Sequence, residues 1–171
     1  FGDFNADGHL DLAVGIPGQT VVGELNAGAV QVFPGSRFHP VPAPGNVHTQ
    51  QNTFGDDDGP ETGDRFGAAL AVGDFDGDGF DDIAIGSPGE SMLAPGNCAA
   101  GVCNEIGLVH VIWGSALGLQ GSLASTFNFI DLELDFNEPA IATMHMGEAL
   151  AAIDTDGDGF ASLVVGAPGA V

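Results

Sequence analysis

Three acidic segments bring together the side chains best suited to chemistry in this chain. They are Asp3, Asn5, Asp7 and Asp11; Asp74, Asp76, Asp78 and Asp82; and Asp154, Asp156, Asp158 and Ser162. In each, a glycine (Gly8, Gly79, Gly159) directly follows the third donor. Oxygen donors on alternate residues of a curled loop point to one centre, and the glycine permits the sharp turn. The residue after the glycine, His9, Phe80 or Phe160, adds a backbone carbonyl, and the side chain eight residues after the first donor closes the shell. A shell of about six to eight hard oxygens suits Ca2+ better than Mg2+, which keeps more of its own water. The expectation is up to three calcium ions, the third held most weakly because Ser162 stands where a carboxylate stands in the other copies. These are not EF-hand loops: the twelfth position, where an EF-hand needs Glu, holds Val14, Ile85 or Val165. Solvated acidic turns without metal are the plainer alternative. Against it, two carboxylates about 4 Å apart repel by roughly 4 kcal/mol even at an effective dielectric near 20.

The elements that must hold these loops repeat with them. Residues 2–19 (GDFNADGHLDLAVGIPGQ), 73–90 (GDFDGDGFDDIAIGSPGE) and 154–170 (DTDGDGFASLVVGAPGA) are copies whose first aspartates lie 71 and 80 residues apart. A second shared element, GAVQVFPGS at 28–36 and GLVHVIWGS at 107–115, lies between the copies. A third, FGAALAVGD at 66–74 and MGEALAAID at 146–154, leads into the acidic loop. Val30, Val32, Val109, Val111 and Trp113 alternate with other residues, which is the period of a strand. LAVG, IAIG and LVVG are short apolar runs ended by turn residues, as buried strands are. No stretch sustains a capped helical period.

One unit therefore reads as a strand (66–73), the acidic loop (74–82), a strand (83–87), a long connection, a strand (107–113), a turn and a fourth strand near 126–130, with about nine strands in the chain. The expected divisions are 1–64, 65–144 and 145–171. A small four-stranded unit cannot bury both sheet faces alone and must stack on its neighbours. About two and a half units are fewer than the roughly four to eight that close radially. Either more units or several chains are expected to complete the structure. Strands shared between copies would give a ring or a filament.

The segment FGAALAVGDFDGDGFDDIAIGSPG followed by GLVHVIWGSALGL resembles the FG-GAP repeat, the blade unit of the integrin alpha-subunit β-propeller and its bacterial relatives. Phe66-Gly67 matches the FG and Gly86-Ser87-Pro88 the GAP; Gly166-Ala167-Pro168 matches GAP literally, and Gly15-Ile16-Pro17 has Ile in the middle. Met146-Gly147 replaces FG in the last copy. The resemblance implies an all-β fold of four-stranded antiparallel blades. It also implies calcium bound in the loop between two strands of a blade, at Asp3, Asn5, Asp7, Asp11, Asp74, Asp76, Asp78, Asp82, Asp154, Asp156 and Asp158. The family fold is a closed ring of seven blades, so this chain is expected to form an incomplete one.

Composition narrows the function classes. Val, Ile, Leu and Phe make up about 27% of the 171 residues, enough to fold; Gly and Pro together, about 22%, imply many turns. Lysine is absent, Arg37 and Arg65 are the only cationic side chains besides histidine, and the net charge is −22. Such a chain does not suit nucleic acid or an anionic membrane surface, and no apolar run is long enough to insert in a bilayer. Eleven of the 24 acids lie in the three loops, and three calcium ions would bring −22 to about −16. Cys98 and Cys103 either form a local disulfide, as in an oxidising compartment, or are two free thiols in a loop.

No histidine (His9, His39, His48, His110, His145) lies in a hydrolase or metalloprotease motif. His110 is expected to point outward from its strand, the acidic run at 56–64 to be a solvated loop rather than a fourth cation site because it lacks the alternating spacing, and Trp113, Phe127 and Phe129 to pack in a core rather than form a sugar platform. The sequence thus points to a non-enzymatic, calcium-binding structural or adhesive protein outside the cell or on its surface. Its partners would be copies of itself or further blades. The runner-up is a segment of a larger propeller that binds a glycan or protein ligand.

Overall fold

The computed structural model describes residues 1–36, 47–49, 59–93, 102–121, 124–127 and 143–169. Within them every regular element is a strand, and every pairing between strands is antiparallel. The first sheet is β1 (Leu12–Ile16), β2 (Ala29–Phe33) and β3 (Val47–His48), in that order. The second is four-stranded: β4 (Leu70–Gly73), β5 (Asp82–Ser87), β8 (Leu108–Ile112) and β9 (Ser125–Phe127). A small ribbon, β6 (Met92–Leu93) with β7 (Val102–Cys103), interrupts the second sheet in sequence, and β10 (Ala149–Ile153) with β11 (Ser162–Gly166) makes the last sheet. This is the antiparallel, all-β architecture of a partial propeller, with no closed ring among the described residues.

Strand alternation explains the stacking. Every residue of β5 and β8 is buried, so the second sheet has neighbours on both faces. On one face Ile83, Ile85 and Ile112 join Phe4, Val30, Val32 and Phe66 in one apolar cluster with the first sheet. On the other, Ala84, Val109 and Val111 cluster with Met144 and Met146, and Leu150, Ala152, Leu163 and Val165 of the third sheet pack against them. At roughly 25 cal/mol per Å2 of apolar surface, these two interfaces supply the burial that a single unit lacks.

The sheets approach closely because glycines meet between them. Gly67 and Gly147, at φ +88° and +84°, take a backbone conformation that side chains strain. A Cβ on Gly15 would overlap the Gly67 carbonyl oxygen, and one on Gly86 would overlap that of Gly147. The turn is tied further by Gly67 N and Ala68 N, which both donate to Gly86 O at 3.0 and 3.2 Å, and by Gly147 N, which donates to Gly166 O at 3.0 Å.

This turn corrects one expectation. Residues 66–69 are not strand; β4 begins at Leu70, because Gly67 turns the backbone away from the extended region. His110 is a second correction: it is buried, not outward, since the sheet has no solvent face. Its ring lies 5.2 Å from that of Phe66 between the first two sheets. The described residues also hold eleven strands rather than nine, the extra ones being short pairings in long connections. Residues 128–130 of the fourth strand, Phe129, Cys98 with its proposed disulfide, His39 and residues 56–58 of the acidic run lie outside the described residues.

The glycine contact yields a direct expectation. Gly86→Ala should cost about 3 kcal/mol or more, through overlap with backbone that cannot move aside. Gly18→Ala, at a position with only one atom near (3.9 Å), should change stability little. Urea unfolding of both variants checks this.

Candidate metal centre

Each acidic loop joins two paired strands or the extended segments in their place: Gly2 bridges Asp11 in the first copy, β4 pairs with β5, and β10 pairs with β11. The pairing fixes the loop ends, and the backbone then wraps around the first carboxylate. In the second copy Asp74 accepts from Gly77 N (2.7 Å) through Oδ1 and from Gly79 N (3.0 Å) through Oδ2. Asp76 Oδ1 accepts from Asp78 N (3.1 Å) and Asp78 Oδ1 from Phe80 N (3.0 Å).

The third copy repeats the pattern: Gly157 N and Gly159 N donate to Asp154, Asp158 N to Asp156, and Phe160 N to Asp158, at 2.7 to 3.2 Å. In the first, Asp3 accepts from Asp7 N and Gly8 N, Asn5 Oδ1 from Asp7 N, and Asp7 Oδ1 from His9 N, at 2.8 to 3.0 Å. The His9 ring nitrogen Nδ1 also lies 3.1 Å from Asp7 Oδ1.

These bonds gather the carboxylates. One oxygen from each of Asp74, Asp76 and Asp78 lies within 4.8 Å of the others, and the same holds for Asp154, Asp156 and Asp158. The donor set is hard oxygen, anionic and exposed to incoming ions, which fits Ca2+. The side chains of Asp3, Asn5 and Asp7 would hold the ion in the first loop, with the backbone at His9; Asp74, Asp76 and Asp78 with Phe80 in the second; and Asp154, Asp156 and Asp158 with Phe160 in the third. The backbone bonds to Gly157 and Gly159 hold the Asp154 carboxyl below the ordinary aspartate range, so it is ready as an anion.

The last acid of each loop is placed differently. Asp82 is fully buried: Oδ2 accepts from Phe75 N and Oδ1 from Gly114 N, both at 2.8 Å. Asp11 does the same with Phe4 N (3.3 Å) and Gly35 N (2.6 Å). Each therefore staples its own loop to the turn after the third strand of the unit, a structural duty that spacing did not reveal. Burial is the largest influence on Asp82 and pushes its carboxyl up to about 6, helped by the charges of Asp76 and Asp78 and opposed by the two backbone bonds. Asp11 is raised too, again chiefly by burial. In the third copy Ser162 has no such reach; its hydroxyl pairs with Thr155 at 3.0 Å.

Successive loops are also bonded to each other. Asp3 N donates to Asp81 Oδ2 (2.8 Å) and Asp81 N to Asp3 O (3.2 Å); Ala161 N donates to Asp74 O (2.8 Å). The acidic loops therefore lie in register along one edge of the stack. A further acidic group sits elsewhere. Glu61, Asp64 and Glu90 bring one oxygen each within 4.8 Å; Asp64 and Glu90 are buried, while Glu61 and Thr62 of the 56–64 run remain exposed, so only Asp64 of its described residues leaves the solvent. Asp64 Oδ2 accepts from Glu61 N at 2.5 Å, and Leu25 O accepts from Gly63 N at 3.0 Å, which anchors the segment beside the first repeat. Trp113 is partly buried and donates from Nε1 to Ser125 Oγ at 3.2 Å.

Stacked antiparallel sheets with in-register acidic loops between strands define the class: a protein of tandem propeller-type β-units. The FG-GAP repeat family matches residues 1–33 and 66–102. The chain is 34% identical over 166 residues to the phosphatidylinositol-glycan-specific phospholipase D of Rattus norvegicus, covering 97% of this chain and 17% of that protein. It is 30% identical over 178 residues to integrin alpha-PS5 of Drosophila melanogaster (98% of this chain, 14% of that one). It is 28% identical over 167 residues to integrin alpha-4 of Xenopus laevis (96% and 13%). The chain thus spans less than a fifth of the length of these relatives.

The buried aspartate gives a pH expectation for the metal-free chain. Asp82 protonates more readily folded than unfolded, where its value is near 3.8. The stability linked to its proton is therefore fully present below about pH 4 and is lost as pH rises through about 6. Carboxyl-carbon NMR in excess chelator should show one aspartate titrating near pH 6, and the Asp82→Ser variant should lack it.

Proposed function

We propose that this chain is a calcium-binding structural segment that works outside the cell or at its surface. The single observation that carries the proposal is the threefold recurrence of an acidic loop whose side-chain oxygens are held by its own backbone amides, with three carboxylates gathered in the second and third copies. Each ion would neutralise a cluster whose members otherwise repel, and each would stiffen the turn between two paired strands. Bonds between successive loops pass that stiffness along the stack. Millimolar calcium outside cells fills sites of modest affinity, about 10⁻⁴ to 10⁻³ M in extracellular modules. The role is structural and adhesive rather than catalytic, and its partners are further units of the same kind, including those of a second copy in a ring or filament. No helix among the described residues is long and apolar enough to cross a membrane.

Calorimetric titration of the metal-free chain should give up to three sites, with the loop containing Asp154 the weakest. At a hundredfold excess of calcium over Kd each site adds about 2.7 kcal/mol. The unfolding midpoint should therefore rise by several degrees per site and fall back on chelation. Asp76→Asn with Asp78→Asn should remove one site and leave the metal-free melting curve nearly unchanged, because both side chains are exposed or nearly so. A melting curve indifferent to calcium would overturn the reading.

A second reading is favoured by the likeness to integrin alpha chains along nearly the whole chain: a segment of a larger propeller that presents a surface to a protein or glycan ligand. Its discriminating outcome is a calcium-loaded monomer that retains glycans or extracellular proteins on an array while showing no mass increase with concentration.

A further inference from the structure

One bond recurs wherever two acidic loops meet. The residue after each loop glycine would offer its carbonyl to the ion, and the same peptide unit carries the N–H of the following residue. Between the first and second loops that unit is Phe80–Asp81, whose N–H donates to Asp3 O at 3.2 Å. Between the second and third it is Phe160–Ala161, whose N–H donates to Asp74 O at 2.8 Å. A single planar group therefore serves one loop with its oxygen and holds the first donor residue of the preceding loop with its N–H.

The first junction has a second link. Asp81 Oδ2 accepts from Asp3 N at 2.8 Å. Asp81 thus grips Asp3 at both its N–H and its C=O, while the Asp3 carboxylate accepts from Asp7 N and Gly8 N at 3.0 and 2.8 Å. Position 161 is Ala, which has no carboxylate to offer Asp74 N. There the ring of Phe160 lies against Gly77 instead, so closely that an added Cβ would stand 2.6 Å from a ring carbon. Asp81 is half-buried and lies between Phe80 and Asp82, outside the alternating donor positions of its own loop.

We propose that Asp81 couples the first two calcium sites, so that an ion in the second loop raises the affinity of the first, and the reverse. This rests on the calcium reading above and adds a positioning residue to it. An ion held by the Phe80 carbonyl fixes the 80–81 peptide. Asp81 then presents both its N–H and its carboxylate to Asp3, which meets its own ion with less freedom left to lose. The effect is reciprocal, because coupling between two binding equilibria has one magnitude in both directions. Repulsion between the two ions acts the other way, and salt screens it between exposed loops.

The test is amide NMR of the intact chain as calcium is titrated into metal-free protein at physiological salt. The amides of Gly8, Gly79 and Gly159 each donate to the first aspartate of their own loop, so their shifts read the three sites separately. Asp81→Ala should raise the calcium midpoint at Gly8 about fivefold or more and move that at Gly159 far less. Asp81→Asn loses the same charge but keeps a side-chain oxygen as acceptor, and should stay within about twofold of the unaltered chain. Asp76→Asn with Asp78→Asn, which disables the second site without touching Asp81, should also raise the Gly8 midpoint. In the Asp81→Ala background the same pair should add nothing further. A Gly8 midpoint indifferent to Asp81→Ala or to loss of the second site, or moved as far by Asp81→Asn, overturns the proposal. If no glycine amide responds to calcium, the calcium reading itself falls; if all three respond independently, only the coupling falls.

Discussion

The contact of bare backbone with bare backbone between sheets is the constraint on which this architecture depends. Gly15 lies against Gly67, and Gly86 against Gly147, so closely that a single methyl group would strike a carbonyl oxygen. Because the sheets meet there at backbone distance, the apolar residues beyond the contact are held in one alignment. Ile83, Ile85 and Ile112 meet Val30 and Val32 on one side; Val109 and Val111 meet Leu163 and Val165 on the other. The glycines of the FG and GAP signatures thus meet twice, at backbone distance between neighbouring units and through a hydrogen bond within one unit.

The loops inherit their order from this stacking. Once sheets align, the first residue of one loop meets the loop of the next unit, and the Asp3–Asp81 and Asp74–Ala161 bonds follow. Within a loop, the acids divide their labour by burial. The exposed ones gather around a common centre. Asp11 and Asp82 instead spend both oxygens on buried backbone amides, at Phe4 and Gly35 and at Phe75 and Gly114. Each oxygen retains a further lone pair, so the staple and a nearby cation are chemically compatible. A buried carboxylate with neighbouring anions is costly when ionised, which is why a cation at the loop and the integrity of the unit are coupled in the function proposed.

The large negative charge fits the same picture. The interfaces between sheets are apolar, and much of the acid is confined to loops along one edge. Repulsion is therefore concentrated where divalent ions would act, and the packed faces are spared. Glu61, Asp64 and Glu90 are the exception, with two of three carboxyl groups inside the fold.

Much was legible in the residues alone. The three phased acidic motifs identified the loops, because ligand spacing is local. Alternating Val30/Val32 and Val109/Val111 identified the third strands, because strand period is local too. The FG and GAP glycines marked the repeat. Tertiary structure decided whatever depends on a neighbour. His110 is buried because a second sheet covers what would otherwise be a wet face. Residues 66–69 leave the strand because Gly67 must turn to reach the preceding unit. Asp11 and Asp82 serve as staples because Gly35 and Gly114, 24 and 32 residues away, present amides to them. Asp64 is drawn inside by partners that no local pattern announces. Spacing along a chain reports the period of an element and the reach of a loop; which face is covered, and which polar group is then obliged to find a partner, is settled only when the sheets meet.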